Sequence, residues 1–418
     1  MNILKLYSIF NENPLICTDS RKTIRNSIFF ALQGEHFNGN KYALRAIENG
    51  CSYAIIDDKD YHKHPNTILV KNVLETLQEL ATYHRKQLTI PIIGITGTNG
   101  KTTSKELINN ILSTELTTYA TQGNLNNHIG VPLSILRISN DTEIGIIEMG
   151  ANHPNEIEFL CSIAQPTHAA ITNIGLAHLE GFDNLEGVIN TKNELYKYIS
   201  KTKGYAFVNS ADDRLLKLSV GIKRTTYGQT GMINATIENA TPFISINYKK
   251  KLIKSKLIGN YQFENMMLSV CIGDFFNISL QNIKHAIEEY TPSNNRSQIL
   301  KTKKNELILD AYNANPASMS AMLCSFAEQE YENKICILGD MLELGDYAQD
   351  EHEKIVNLCK KLSLECYFVG IEFNKVNKNS FINTDDFGQY LDNKSLSNKT
   401  ILLKGSRGIE LERLVPFL

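Results

Sequence analysis

An α/β chain of three domains is what this sequence predicts, and three observations carry the prediction. The chain has 418 residues, too many for one ordinary hydrophobic core. Short apolar runs alternate with helical patterns along most of it, the order that builds parallel, doubly wound sheets. Residues 89–103, TIPIIGITGTNGKTT, join an apolar strand to a glycine loop, a Lys-Thr pair and a helix. The expected units are a small α/β N-terminal domain at 1–88, a central P-loop parallel-sheet domain at 89–296, and a C-terminal Rossmann-like domain at 297–418.

The stretch at 89–103 organises the rest. Ile92, Ile93 and Ile95 form a buried strand; Gly94, Gly97 and Gly100 punctuate it, and Lys101, Thr102 and Thr103 open a helix that runs to about Leu112. Glycines let backbone N–H groups turn inward on an anion, and the helix N-terminus adds partial positive charge. Lys101 can reach terminal phosphates and a threonine hydroxyl can ligate magnesium. Gly97, Thr98, Asn99, Gly100, Lys101, Thr102 and Thr103 are therefore candidate residues for binding a nucleoside triphosphate. The strict pattern would place a glycine where Ile95 stands. An ordinary glycine turn is the alternative; the arrival of strand, loop, Lys-Thr and helix in order favours the phosphate loop.

Composition narrows the field. A formal net charge of -2 leaves no global basic field, so nucleic acid is not an expected partner. No stretch approaches the length of a membrane span, and the N-terminal MNILKLYSIFNENPL lacks a signal-peptide core and cleavage site, so a cytoplasmic protein is expected. Eight cysteines without CxxC spacing read as free, mostly buried thiols.

In the first unit, Asp19-Ser20-Arg21 is a polar cluster beside a strand at 27–32. Arg21 is a candidate anion contact, or a solvated surface arginine. Helices are expected at 42–49 and 73–85, with a strand at 53–56. In the second unit, the loop at 122–132 is dense in amides, among them Asn124, Asn126 and Asn127. Such a loop suits a neutral, multiply hydrogen-bonding ligand, or is simply a turn-rich connector. The strand Ile144-Gly145-Ile146-Ile147 ends in Glu148, where P-loop folds place a magnesium-binding carboxylate. A strand from His168 to Thr172 leads into a loop bearing His178. Glu148, His178 and the P-loop should then converge on the C-terminal edge of one sheet. A helix over 185–199 carries Lys192, which by its composition alone is a surface lysine paired with Glu194 or Glu186. A β-ribbon is expected at 224–257, helices at 259–277 and 283–290, and a domain boundary in Thr291–Ser297.

In the third unit, a strand at 306–310 ends in Asp310 and runs into DAYNANP. A helix at 317–328, a strand at 335–338 into GDMLELG, a helix at 349–362 and strands at 367–369 and 401–403 follow. The last opens into Lys404-Gly405-Ser406-Arg407-Gly408 and a terminal helix. No GxGxxG follows a strand, so dinucleotide binding is not indicated.

TGTNGKTT, EMGANHPNEI, TNIGLAHLEGF and TKNEL, in that order, resemble the Mur ligases, the ATP-dependent amide-forming enzymes of peptidoglycan precursor synthesis. DSR with FFALQGEHFNG, DAYNANP, LGDMLELG and LKGSRG are similar to the MurF-type branch, which adds D-alanyl-D-alanine to UDP-N-acetylmuramoyl-tripeptide. Several positions depart from the family pattern: Tyr261 and Gln262 stand where His and Asn are usual, Asn155 where Gly is usual, and Asn38-Gly39-Asn40 replaces Asp-Gly-His.

The resemblance implies a ligase that makes an acyl phosphate and passes it to an amine, with ATP as the nucleoside triphosphate and two Mg²⁺ ions. Thr102 and Glu148 would hold one ion and His178 a second; Lys192, carbamylated by CO₂, would also bind magnesium. Lys101, Glu148, His178 and Lys192 form the implied catalytic set. Asn265 and Asp310 would serve adenine and ribose, and Arg296 the γ-phosphate. Substrate-side candidates are Ser20, Arg21, Asn124, Asn126, Asn127, Tyr312, Asn313, Asn315, Lys404 and Arg407. The expected protein is a monomer. Two other readings stand beside this one: another amino-acid ligase of the same superfamily, and a P-loop ATPase coupled to a partner of unknown kind.

Overall fold

The computed structural model describes residues 2–176 and 179–418. At its centre lie seven parallel strands in the order Ile233–Asn234, Lys223–Gly228, Tyr205–Asn209, His168–Ile171, Ile92–Thr96, Ile144–Glu148 and Thr118–Ala120. Ile92–Thr96 and Ile144–Glu148 are buried at every position, as a parallel sheet covered on both faces requires. One face is covered by helices Lys101–Leu112 and Gln262–Phe275, through Ile93, Ile95, Leu107, Ile111, Met266 and Val270. Helices Glu156–Ala164 and Leu185–Thr202 cover the other through Ile147, Leu160 and Leu195. Each of these side chains stabilises the fold by roughly 2 kcal/mol on leaving water. Because Ile92–Thr96 lies between His168–Ile171 and Ile144–Glu148, the loops after all three strands open on one edge.

The N-terminal sheet is parallel, in the order Leu15–Cys17, Ser27–Phe30, Tyr53–Ile56, Thr67–Leu69. Helix Val73–Gln87 buries Val73, Leu77, Leu80 and Ala81, a stripe at helical spacing, and the Asn72 side chain caps it by accepting the Glu75 N–H. These residues share one core with Leu133, Ile157 and Leu160 of the central unit. Arg85 crosses the same seam, buried, and donates to the carbonyls of Leu88, Ala164 and Gln165.

Two local expectations are corrected. The start of the ribbon read at 224–257 is instead Lys223–Gly228, a parallel strand of the central sheet; the antiparallel strands are Thr236–Asn239, Ser245–Tyr248 and Lys251–Lys254. Near the sheet edge only one face is fully covered, so the strand alternates as a ribbon would. The terminal helix resolves into two 3₁₀ segments, Arg407–Ile409 and Leu411–Phe417. Pro416 supplies no N–H for an α-helical bond there.

The C-terminal sheet orders Gln298–Lys301, Glu306–Asp310, Thr400–Lys404, Lys334–Gly339 and Glu365–Val369; only the first is antiparallel to its neighbour. Cores lie on both of its faces. All eight cysteines are free thiols. Among the described residues no helix is long and apolar enough to cross a membrane.

Candidate active site

A cleft of about 790 Å³ opens where the C-terminal edge of the central sheet faces the C-terminal unit. Strand Ile92–Thr96 delivers the loop that forms its floor. Gly97 has φ +143° and Gly100 φ +79°, and a Cβ at Gly97 would come within 2.0 Å of Thr172 Oγ1. Only glycine meets both conditions. The neighbouring strand's loop staples this one. Thr98 N–H donates to the Asn173 carbonyl (3.0 Å), Asn99 N–H to Asn173 Oδ1 (3.0 Å), and Thr172 Oγ1 to the Asn99 carbonyl (2.6 Å). Asn173 escaped the sequence reading, although it lies in the TNIG run that was singled out.

Lys101 folds over its own loop, donating to the carbonyls of Gly97 (2.6 Å) and Thr98 (3.1 Å). Burial pushes its ammonium below the usual lysine range, Glu148 opposes that shift, and Arg296 adds to it. An arriving phosphate would supply the counter-charge this group lacks. Thr102 Oγ1 donates to Glu148 Oε2 (2.9 Å), and Asn126 Nδ2 to Glu148 Oε1 (2.8 Å). Glu148 is buried at the end of its strand, and its N–H is held by Thr121 Oγ1. Behind it the buried Lys105 donates to the Thr121 carbonyl (2.7 Å). Lys105 is a second residue that sequence reasoning missed. It stands one helical turn beyond Lys101, the signal that could have found it.

Lys192 is 2% exposed, which corrects the surface reading. Its neighbours Val188, Thr191, Leu195 and Ile199 form the buried stripe of helix Leu185–Thr202. Burial lowers its amine to about 7; the Lys101 charge pushes the same way, against Glu156 and Glu194. Its Nζ lies 3.4 Å from the Ala151 carbonyl and 5.5 Å from the Phe182 ring centre. Glu194 is engaged elsewhere, accepting the N–H groups of Asn155 (2.8 Å) and Glu158 (2.9 Å). Asn155 has φ +68°, so the position that usually carries Gly here holds one of the few other residues that tolerate left-handed backbone. His178 lies outside the described residues.

The C-terminal unit supplies the facing wall. Asp310 accepts the Ser297 N–H on Oδ1 (3.0 Å), and Lys404 Nζ lies 2.6 Å from Oδ2. Lys404 is therefore a buried partner of Asp310, not a surface charge. The Arg296 guanidinium stacks 3.8 Å above the Tyr312 ring, with that of Arg407 at 5.7 Å. Asn313 lines the cleft. Asn315 caps helix Pro316–Glu328 in a capping box with Ser318, and its Nδ2 donates to Asn99 Oδ1 (2.8 Å). That amide pair ties the C-terminal unit to the P-loop.

Asn265 accepts Ser104 Oγ–H (3.1 Å) and donates to Gln262 Oε1 (2.7 Å), directly beneath Gly100. Gln262 thus orients Asn265, while Tyr261 also lines the cleft, its hydroxyl 3.3 Å from Ser297 Oγ. Asn124, Asn126 and Asn127 all line the cleft, and Asn127 also accepts the N–H groups of Ile129 and Gly130. Ser20, Arg21 and Arg407 are not among its lining. Ser20 is buried, and the Arg21 side chain is 83% exposed and paired with Asp19.

Among the described residues no group of three or more His, Cys, Asp and Glu gathers as a metal cage. The hydroxyl–carboxylate pair of Thr102 and Glu148 nevertheless fits Mg²⁺, which takes one or two protein oxygens and fills its shell with water and phosphate.

Fold and site together define a P-loop enzyme that handles a nucleotide's phosphates in a cleft between two α/β units. Comparison with known proteins makes this specific. Residues 95–273 match the Mur ligase middle domain and 295–407 the Mur ligase, glutamate ligase domain. A UDP-N-acetylmuramoyl-tripeptide--D-alanyl-D-alanine ligase of Bacillus subtilis is 31% identical over 96% of this chain and 92% of its own length. The Haemophilus influenzae protein of the same name is 30% identical, over 99% and 96%. A crystal structure of MurF from Acinetobacter baumannii superposes with TM-score 0.85 at 28% identity, covering 96% of this chain and 92% of that one. MurF ligase from Thermotoga maritima in complex with ADP gives 0.83 at 25%, over 97% of each chain. The chain belongs to the Mur ligase family.

Proposed function

We propose that this protein joins D-alanyl-D-alanine to UDP-N-acetylmuramoyl-tripeptide at the expense of ATP, giving UDP-N-acetylmuramoyl-pentapeptide, ADP and phosphate. The likeness to ligases of that name across nearly the whole chain carries the reading. The work is assigned to 1–88 for the UDP-muramoyl substrate, 89–296 for ATP, and 297–418 for the dipeptide side. It proceeds in the cytoplasm, where the nucleotide is.

The terminal carboxylate of the tripeptide attacks the γ-phosphorus, the bond to the β-phosphate oxygen breaks, and ADP leaves an acyl phosphate. The dipeptide amine then attacks the acyl carbon. The tetrahedral intermediate expels phosphate, and the amine's proton is lost to form the amide. Two anions must meet in the first step, so positioned positive charge is the main requirement. Lys101 and the loop N–H groups hold the polyphosphate; Arg296, which faces the loop across the cleft, meets the γ-phosphate. Asn265 and Asp310, both on the cleft wall, are assigned to base and ribose. Mg²⁺ on Thr102 and Glu148, with a second ion on His178, would neutralise the phosphate oxygens.

Lys192 fits a carbamate. Its amine, lowered to about 7, is substantially neutral and can add CO₂, forming an N–C bond and releasing a proton. The product is an anion suited to a metal. Asn124, Asn126 and Asn127 on one wall and Tyr312, Asn313 and Asn315 on the other would flank the peptide substrates, with Lys404 behind them through Asp310.

The test is ADP release from purified protein with ATP and Mg²⁺, adding tripeptide substrate and dipeptide separately and together. Release that needs both, with a pentapeptide by mass, is expected. Turnover with single amino acids in place of the dipeptide would move the protein to a neighbouring ligase, and turnover with neither would make it an ATPase.

A further inference from the structure

Glu264 is a cleft carboxylate that the chemistry above does not use. It stands in the first turn of helix Gln262–Phe275 and lines the cleft beside Asn209, Gln262 and Asn265. Its Oε2 is buried and has no hydrogen-bond partner among the described residues. Asn209, at the end of strand Tyr205–Asn209, lines the cleft beside it, and the Asp212 charge acts on the carboxyl. Burial raises this carboxyl to about 7; Asp212 pushes the same way and Asn209 opposes. An orphaned acceptor on a cleft wall calls for a donor from the ligand.

Strand order indicates which part of the ligand arrives there. The polyphosphate sits on the loop after Ile92–Thr96, and the Thr102–Glu148 pair marks its metal side, toward Ile144–Glu148. Glu264 and Asn209 lie in the opposite direction, across His168–Ile171 at strand Tyr205–Asn209. The nucleoside end of the ligand points that way.

We propose that Glu264 selects the base, accepting the exocyclic amino group of adenine and repelling the O6 carbonyl of guanine. At that position adenine presents a donor and guanine an acceptor. Oε2 of Glu264, without a partner of its own, is the acceptor offered to the base. Gln262 and Asn265 carry amides that both donate and accept, and they are bonded to one another, so they discriminate poorly. The proposal rests on the reading of the cleft as an ATP site.

Displacement of a fluorescent ATP analogue by ATP, GTP and ITP, at about pH 9 where the carboxyl is ionised and has no proton to donate to O6, tests it on the full chain. Parent, Glu264→Gln and Glu264→Leu are compared, with thermal melting to check each fold. The assay needs no acceptor, so failure of the ligase reading leaves it intact. ITP shares O6 with GTP but lacks its 2-amino group, which separates the carbonyl from bulk. The parent should prefer ATP over both by about tenfold or more. Glu264→Gln, whose amide can donate to O6, should bring the three within about threefold. Glu264→Leu should weaken ATP by about tenfold without strengthening ITP. An unchanged preference in a folded Glu264→Gln would overturn the proposal. Failure of the parent to bind any nucleotide would overturn the ATP reading and the proposal with it.

Discussion

Asp310 and Lys404 are register partners on adjacent parallel strands, and their side chains meet at 2.6 Å between Oδ2 and Nζ. Lys404 is 2% exposed, and its other contact is the Asn313 carbonyl at 3.4 Å. Removing Lys404 would leave the half-buried Asp310 charge with the Ser297 N–H but no cation, and would empty the buried place of the ammonium. Lys404→Met should lower stability by about 3 kcal/mol in urea unfolding. A change under about 1 kcal/mol would mean that Asp310 is held by Ser297 and solvent alone.

Glu148 has both oxygens engaged, by Thr102 and Asn126, and little exposure. Glu148→Gln is nearly isosteric and keeps an acceptor for one of them. Its fold should survive, while its anionic oxygen for magnesium is lost. We expect kcat to fall by about 10²–10³ with a normal melting temperature. Near-parental kcat at saturating Mg²⁺ would remove Glu148 from the metal site.

Lys192→Ala should abolish ligation, and short carboxylates such as acetate or formate should restore part of it by filling the place of the carbamate. The readout is ADP release across a series of added acids. Loss of activity with no rescue by any of them would weaken the carbamate reading and leave Lys192 a positioning cation.

His168 sits among Tyr205, Phe207, Phe275 and Phe276, and burial lowers its imidazole from 6.5 to about 4. The folded state therefore resists a proton that the unfolded chain accepts. Stability from this residue is intact above 6.5 and declines as pH falls from 6.5 toward 4, by at most about 3 kcal/mol. Urea unfolding of parent and His168→Phe across that range should show the gap between them shifting in favour of the variant as pH falls. A gap independent of pH would contradict the burial argument.

The parts of the site that sit close together in sequence were legible. Gly97 to Thr103 form one loop and helix start, and Glu148 ends a strand that apolar runs make plain. Composition alone puts Lys192 on the surface because its charge is weighed against nearby acids; the stripe of Val188, Leu195 and Ile199 at helical spacing already points inward. The Asp310–Lys404 pair was not legible at all. It depends on strand Thr400–Lys404 inserting between Glu306–Asp310 and Lys334–Gly339, and strand order follows from long-range packing that no local pattern encodes. The strand at 223–228 was lost for a related reason: the edge of a sheet alternates like a hairpin.

Isotope transfer tests the central claim most directly. The tripeptide substrate is prepared with ¹⁸O in its terminal carboxylate and turned over with ATP, Mg²⁺ and D-alanyl-D-alanine, and the released phosphate is analysed by mass. Attack of that carboxylate on the γ-phosphate predicts a carboxylate ¹⁸O in the phosphate for each amide formed. Phosphate free of label, with ADP still released, would contradict the acyl-phosphate account and point to hydrolysis of ATP by water.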